Sequence, residues 1–523
     1  MQKIYLYLNC IFLSLVIIVF YFSFVPKTFY TFFNSDLLYL PSLYKDIFVD
    51  NFSISGWKLT PAPYFFPDMF IYFILMFFTN CNVYYSTYII GIIQIFLFLF
   101  SGSLAISNII NRKFIEIFEL LSIIVMIILI SIIFFRFPFD ITLSMYLPSF
   151  HFGAFICSLI CLTMLFKLIN KNNFFYLLSF FIFLIISLTS DRLMFTTFII
   201  PTLISLFIVR KKISTESKIA INTIIIIATL CSLVFISILT KYHFLSVVPY
   251  EYKNFIIKEK IMVLLSIFKN NINYCIIILL AITNIIFYYL NKKNSVENFN
   301  LNFYLNFNVF MNLTVLIIPI LTMDNDSMTA LRYCFPVFFI FLLNFIIFLY
   351  LKNLTDSLLF PKIKSVIFII IFISIVFIFG KTDFKIDNLI FYPEITKFLD
   401  NNAEKYNLKY GISNYWNAKL NTFFSKKNIR VYQVQSHGEK ANICYYHINN
   451  VNWYIGEKNS FYNKPYYNFL ISEGLNFNAV INQFGHPSHV VQFKNNICLL
   501  IYNKDESFDK NLKYMFFMVR EKN

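Results

Sequence analysis

Met69-Phe70-Ile71-Tyr72-Phe73-Ile74-Leu75-Met76-Phe77-Phe78-Thr79 is the apolar stretch on which the topology turns. As a helix it reaches about 16 Å, roughly half of a ~30 Å bilayer core. If it crossed, Arg112-Lys113 and Arg210-Lys211-Lys212 would fall outside the membrane. If it lies along the surface, Lys3, Arg112-Lys113, Lys167/Lys171, Arg210–Lys212, Lys292-Lys293 and Lys352/Lys362/Lys364 all fall on one side. The positive-inside rule selects the second arrangement.

The longer apolar blocks lie near 4–25, 84–110, 117–135, 149–168, 174–189, 193–209, 217–240, 271–290, 303–322, 333–351 and 363–380. They predict about eleven spans, with the N-terminus inside and the C-terminus outside. The first block is read as a retained span, because no small-residue cleavage site follows it. The first external loop, 26–83, then holds Asp68–Thr79 as a juxtamembrane helix. No internal repeat of the inverted-transporter kind is present.

Composition agrees. Of the 523 residues 59% are hydrophobic and only 13% charged, and the mean hydropathy is +0.68. Soluble domains carry about 25% charged residues, so a soluble enzyme and a disordered chain are excluded. The net charge of +16 is scattered in ones and twos between apolar runs. That pattern sets topology and faces anionic lipid rather than nucleic acid.

After Gly380 the composition turns polar, and 381–523 is long enough for one external domain. Pro393–Leu408 has helical spacing, while Arg430–Val434, Ala479–Phe484 and Ile497–Tyr502 are β-prone. The fold class predicted is an all-α polytopic membrane domain, 1–380, with a small C-terminal α/β domain. No CxxC or Cys/His ligand spacing occurs. Cys444 and Cys498 are the candidates for a disulfide if the tail faces an oxidising compartment; buried free thiols are the other reading. Tyr415, Trp416 and Trp453 are read first as core, with stacking on sugar rings as the alternative.

Five constellations at the external loops can carry chemistry. Asn34-Ser35-Asp36-Leu37-Leu38-Tyr39, with Asp46 ten residues on, offers a carboxylate at the rim as a general base or cation ligand, or else an ordinary helix N-cap. Gly56–Asp68 is rich in proline and aromatics, fitting a cleft wall or an interfacial belt. Ser190-Asp191-Arg192 joins two apolar runs, where the two charges can simply neutralise each other. Asp140 and His151 bracket a loop with Pro148, His151 being a catalyst or a structural hydrogen-bonder. Asp324-Asn325-Asp326 precedes Arg332-Tyr333 and Pro336; an arginine there can fork onto a phosphate or snorkel to an acid. No P-loop, HExxH, GxSxG or dinucleotide fingerprint is present.

Taken together these residues resemble the polytopic glycosyltransferases of the GT-C fold, which use lipid-phosphate sugars. The matching features are Asp36 with Tyr39 after the first span, Pro67–Tyr72 in the juxtamembrane helix, Tyr84–Lys113 ending in basic residues, and Arg332-Tyr333-Cys334-Phe335-Pro336. The likeness spans about residues 1–380 and leaves Tyr410–Trp416 of the tail unmatched. It implies transfer of a sugar from a polyprenyl-phosphate donor to a glycan, lipid or protein acceptor on the external face of a bacterial cell envelope. Asp36 is then the catalytic base, with Asp46 as a second catalytic carboxylate. Arg332 is the phosphate clamp, and Tyr333, Asp68, His151, Asp191 and Arg192 are substrate-binding. The first loop has no tandem acidic pair, so use of a divalent cation (Mg or Mn) on Asp36 and Asp46 stays open. A glycolipid or polysaccharide flippase and a non-catalytic envelope assembly protein are the competing classes.

Overall fold

A computed structural model describes residues 2–135, 140–170, 173–242, 245, 272–293, 295, 298–322, 333–355, 359–437, 442–445, 448–455, 466–494, 497–502 and 508–512. Arg332, Asp324 and Asp326 lie outside the described residues.

The deciding stretch forms a nine-residue helix, Phe70–Phe78, entered through the turn Phe65–Met69. Its start is tied to Ser190, whose hydroxyl accepts from the Phe66 N–H and donates to the Phe66 carbonyl. Its end turns at Thr79 straight into the long helix Val83–Ile110, and Tyr72 bonds Thr87 at 3.1 Å. Both ends therefore sit at the same end of the helical bundle.

Contacts between other helix ends sort the same way. At one end the Asn298 amide donates to the Ile109 carbonyl, Asn300 donates to the Asn108 carbonyl, and Arg112 lies 5.8 Å from the Tyr350 ring. This end carries Arg112-Lys113, Lys292-Lys293 and Lys352. At the other end Ser23 meets Thr382 at 3.2 Å, and the Tyr88 hydroxyl donates to the Leu389 carbonyl at 2.7 Å.

Six helices are long and apolar enough to cross a membrane: Leu6–Lys27, Val83–Ile110, Phe114–Phe134, Phe152–Asn170, Thr215–Lys241 and Ile363–Lys381. The reading of about eleven is corrected to these six among the described residues. Phe65–Phe78, Phe174–Ser190, Cys275–Asn291 and Phe335–Leu351 are apolar but have only 10–17 residues, and 17 helical residues reach ~25 Å. The run 193–209 also breaks: the chain leaves the helix at Asp191 and passes through the turn Phe195–Ile199 before Ile200–Val209. The architecture is that of a multi-pass membrane protein with a small α/β region.

Inside the bundle an amide network joins three helices. Asn284 donates to Asn312 at 3.0 Å, Asn344 donates to Asn284 at 2.8 Å, and Tyr304 donates to Asn344 at 2.8 Å, all fully or nearly fully buried. Without water, such groups are satisfied only by each other, which fixes helix register.

Among the described residues the α/β region holds seven of the eight strands. The outlier, β1 (Trp57–Lys58), belongs to the first loop and pairs antiparallel with β5 (Asn449–Asn450). The rest are β2 (Tyr410–Ser413), β3 (Arg430–His437), β4 (Asn442–Tyr445), β6 (Tyr467–Ile471), β7 (His489–Gln492) and β8 (Cys498–Ile501). They form an open sheet in the order β4-β3-β2-β6-β8-β7. The parallel step from β2 to β3 crosses through the helix Tyr415–Phe424. The predicted helix forms as Glu394–Tyr406, with Ile395 and Leu399 buried. Ala479–Phe484, predicted as strand, is instead part of the helix Phe477–Phe484. Asn476 caps it by accepting from the Ala479 N–H, and Ala479, Val480 and Phe484 share its buried face.

The disulfide reading is overturned. β4, which carries Cys444, stands four strands from β8, which carries Cys498, about 19 Å at ~4.8 Å per step. Bridged cysteines need their Cα atoms within about 7 Å. Cys498 is a free thiol.

Candidate functional site: two acidic clusters at one end of the bundle

The first cluster draws together side chains from four separate constellations. His151 Nδ1 lies 2.7 Å from Asp191 Oδ2, and its Nε2 lies 3.1 Å from the Tyr64 hydroxyl. A carboxylate only accepts, so Nδ1 carries the hydrogen, and the neutral form of the ring accepts from Tyr64 at Nε2. Asp191 Oδ1 accepts the Leu193 N–H at 2.9 Å, which holds the carboxylate in place. The Tyr333 ring centroid lies 4.7 Å from that of His151.

Asp68 adjoins this chain. It is 2% exposed, and its Oδ1 accepts from Gln94 at 3.0 Å and from the Ser149 N–H at 3.1 Å. Burial, with the Asp191 charge adding to it, pushes the carboxyl up to about 7, although both donors pull it down. Gly153 makes the approach possible, since a Cβ there would meet Asp68 Oδ2 at 2.1 Å. Tyr64, Ser149 and His151 all have positive φ (58°, 59° and 67°). Left-handed non-glycine residues cost about 1–3 kcal/mol each and gather where surroundings over-determine them. Arg192 is exposed and takes no part in these bonds.

The second cluster lies between the first loop and the α/β region. Asp36 is half-buried, and the Tyr415 hydroxyl donates to its Oδ1. Ser35 donates to the backbone carbonyls of Tyr415 and Trp416. The helix that follows, Tyr39–Phe48, starts at Leu38 with no side-chain cap, while Asn34 accepts from the Leu37 N–H. The capping reading of Asp36 is therefore corrected. Trp416, read first as core, is 55% exposed beside it. Trp453 is core.

Asp46 is buried ten residues further on. Its Oδ2 accepts from Trp57 at 2.9 Å, Trp453 at 2.6 Å and Asn450 at 3.0 Å. Burial pushes its carboxyl up to about 7, against the pull of Asn450 and Trp453. Asp50 pairs with Arg430 at 3.4 Å. Nothing in the sequence around Asp46 announces Trp453, Asn450 or Arg430, because those partners lie about four hundred residues away. Gly153 had a signal, a glycine two residues after His151 at a helix start.

No protein-family model matches this sequence, and no curated protein or solved structure is similar to it. What stands is a polytopic membrane protein with an α/β extension. Among the described residues no group of three or more His, Cys, Asp or Glu side chains converges to hold a metal ion. Asp36 and Asp46, the candidate ligands for a cation, each have their own partners in the α/β region: Tyr415 for the first, Trp453 and Asn450 for the second.

Proposed function

We propose that the chain is an integral-membrane glycosyltransferase of the GT-C kind. It takes a sugar from a polyprenyl-phosphate donor and passes it to an acceptor hydroxyl on the side of the membrane that holds the α/β region, the external side. The observation that carries this reading is Asp36: a half-buried carboxylate just past the first span, not spent on capping, and bonded by Tyr415, whose neighbour in the chain is the exposed Trp416. A general base needs such a position, open to an acceptor yet shielded enough for its basicity to be tuned. In this reading Arg332 clamps the donor phosphate and Tyr333 brings it toward the Asp191–His151–Tyr64 chain. Asp68 and Asp191 shape the pocket there, and the membrane-spanning helices keep their basic ends inside. Residues 381–523 form the external domain.

The test is release of polyprenyl phosphate from a synthetic lipid-linked sugar by the purified protein. Turnover that depends on Asp36 supports the proposal. Translocation of the lipid with no turnover on any lipid-linked sugar overturns it in favour of a flippase.

A further inference from the structure

Between the helix Tyr39–Phe48 and the strand β3 lies a cavity of about 20 Å³, lined by Lys45, Lys419, Arg430 and Asp46 among others. A water needs roughly 10–15 Å³ on this measure, so the space suits one small polar group and not a sugar ring. Its lining is unusual in charge. Lys419 is 3% exposed, yet its ammonium donates no hydrogen bond among the described residues. It rests 4.5 Å over the Tyr415 ring, and Asp36 acts on it only through longer-range attraction. A buried cation left in that state costs several kcal/mol unless something supplies the missing acceptor.

The other cations face the same space from different elements, Lys45 from the first loop and Arg430 from the start of β3. Of the acids that oppose them, Asp50 pairs with Arg430 at 3.4 Å, and Asp46 already has its Oδ2 covered by three N–H donors. Three cations against two carboxylates, both already engaged, leave the cavity with one positive charge in excess. Arginine's planar fork with two ammonium groups matches the several oxygens and double charge of a phosphoryl group better than a single carboxylate.

We propose that this cavity binds a phosphoryl group, either as free phosphate or as the end of a phosphomonoester, and that the group links the first loop to the α/β region. The site stands independently of the glycosyl-transfer reading.

The full-length protein in detergent is heated with inorganic phosphate, with glycerol 1-phosphate or with polyprenyl phosphate, each matched against sodium chloride at equal ionic strength. Phosphate is expected to raise the unfolding temperature by several degrees beyond chloride. Lys419→Met removes the buried charge without leaving an unpaired partner, so it should fold well yet show no phosphate-specific shift, while Lys419→Arg keeps part of it. Protection by inorganic phosphate and the soluble ester supports a soluble source. Protection by polyprenyl phosphate alone, abolished in Lys419→Met, supports the lipid headgroup. Shifts equal to chloride for all three probes, or an undiminished shift in Lys419→Met, overturn the proposal.

Discussion

Asp46 and Trp453 are 407 residues apart in sequence, and the indole N–H of one lies 2.6 Å from the carboxylate of the other. With Trp57 and Asn450 on the same oxygen, this contact fastens the first loop onto the α/β region.

Removing that donor should loosen the junction. Trp453→Phe keeps most of the packing but takes one charge-assisted hydrogen bond, at about 1.5–3 kcal/mol. Limited proteolysis of the first loop, with thermal unfolding alongside, should show faster cleavage and a lower midpoint.

The junction should also be least stable near neutral pH. Folded Asp46 keeps its proton up to about 7 whereas an ordinary aspartate releases it near 3.8, so stability falls as pH rises between those values. Lys45 and Lys419 run the other way. Burial lowers them to about 8 and about 7 from 10.5, so the unfolded chain holds more protons there and stability rises with pH above 7. Unfolding midpoints from pH 4 to 10 should trace a trough. Asp46→Asn should flatten its acid limb, and Lys419→Met should reduce its alkaline limb.

The two proposed catalytic roles predict different failures. Asp36→Asn should lower turnover by roughly 10²–10⁴ while donor binding holds. Arg332→Ala should weaken donor binding itself by ~1.5–3 kcal/mol. Affinity and turnover measured separately, on protein shown to be folded and inserted, distinguish them. Normal turnover in Asp36→Asn would move the base elsewhere in the first loop.

Gly153→Ala puts a methyl 2.1 Å from Asp68 Oδ2. Displacing a buried, doubly hydrogen-bonded carboxylate should cost ~1–3 kcal/mol, read as a lowered unfolding midpoint. Asp68→Ala in the same chain opens that space, so the double variant should lose less than the sum of the single ones.

What was legible in the sequence follows the range of the forces involved. The lateral helix at Phe70–Phe78 was readable because it is short for a bilayer and the basic clusters fall on one side only if it does not cross, charge near a membrane being a local property. Asp68, His151 and Asp191 were each singled out, but in separate constellations; the packing of the turn Phe65–Met69 and the helices Phe152–Asn170 and Phe174–Ser190 against one another brings them side by side. The span count was overestimated because an apolar block shows its composition but not where its helix starts and stops: 193–209 resolves into the turn Phe195–Ile199 and a ten-residue helix, Ile200–Val209. Ala479–Phe484 was misread because six residues hold too little periodicity to tell a buried helix from a strand, and Asn476 just upstream was not weighed as a cap. The Cys444–Cys498 pairing failed because strand order within a sheet is set by long-range packing that local β-propensity does not encode.

The pairing of Trp57–Lys58 with Asn449–Asn450 has a consequence in time. During synthesis the first loop emerges nearly four hundred residues before the strand that completes it, and at about 5–20 residues per second the ribosome needs roughly 20–80 s to reach that strand. Throughout that interval Trp57 and Asp46 are already across the first span without Trp453 or Asn450. Maturation of this face therefore waits until Asn449–Asn450 has been made. A nascent chain arrested anywhere before Asn449 would leave Asp46 without the Asn450 and Trp453 donors that cover it in the folded protein.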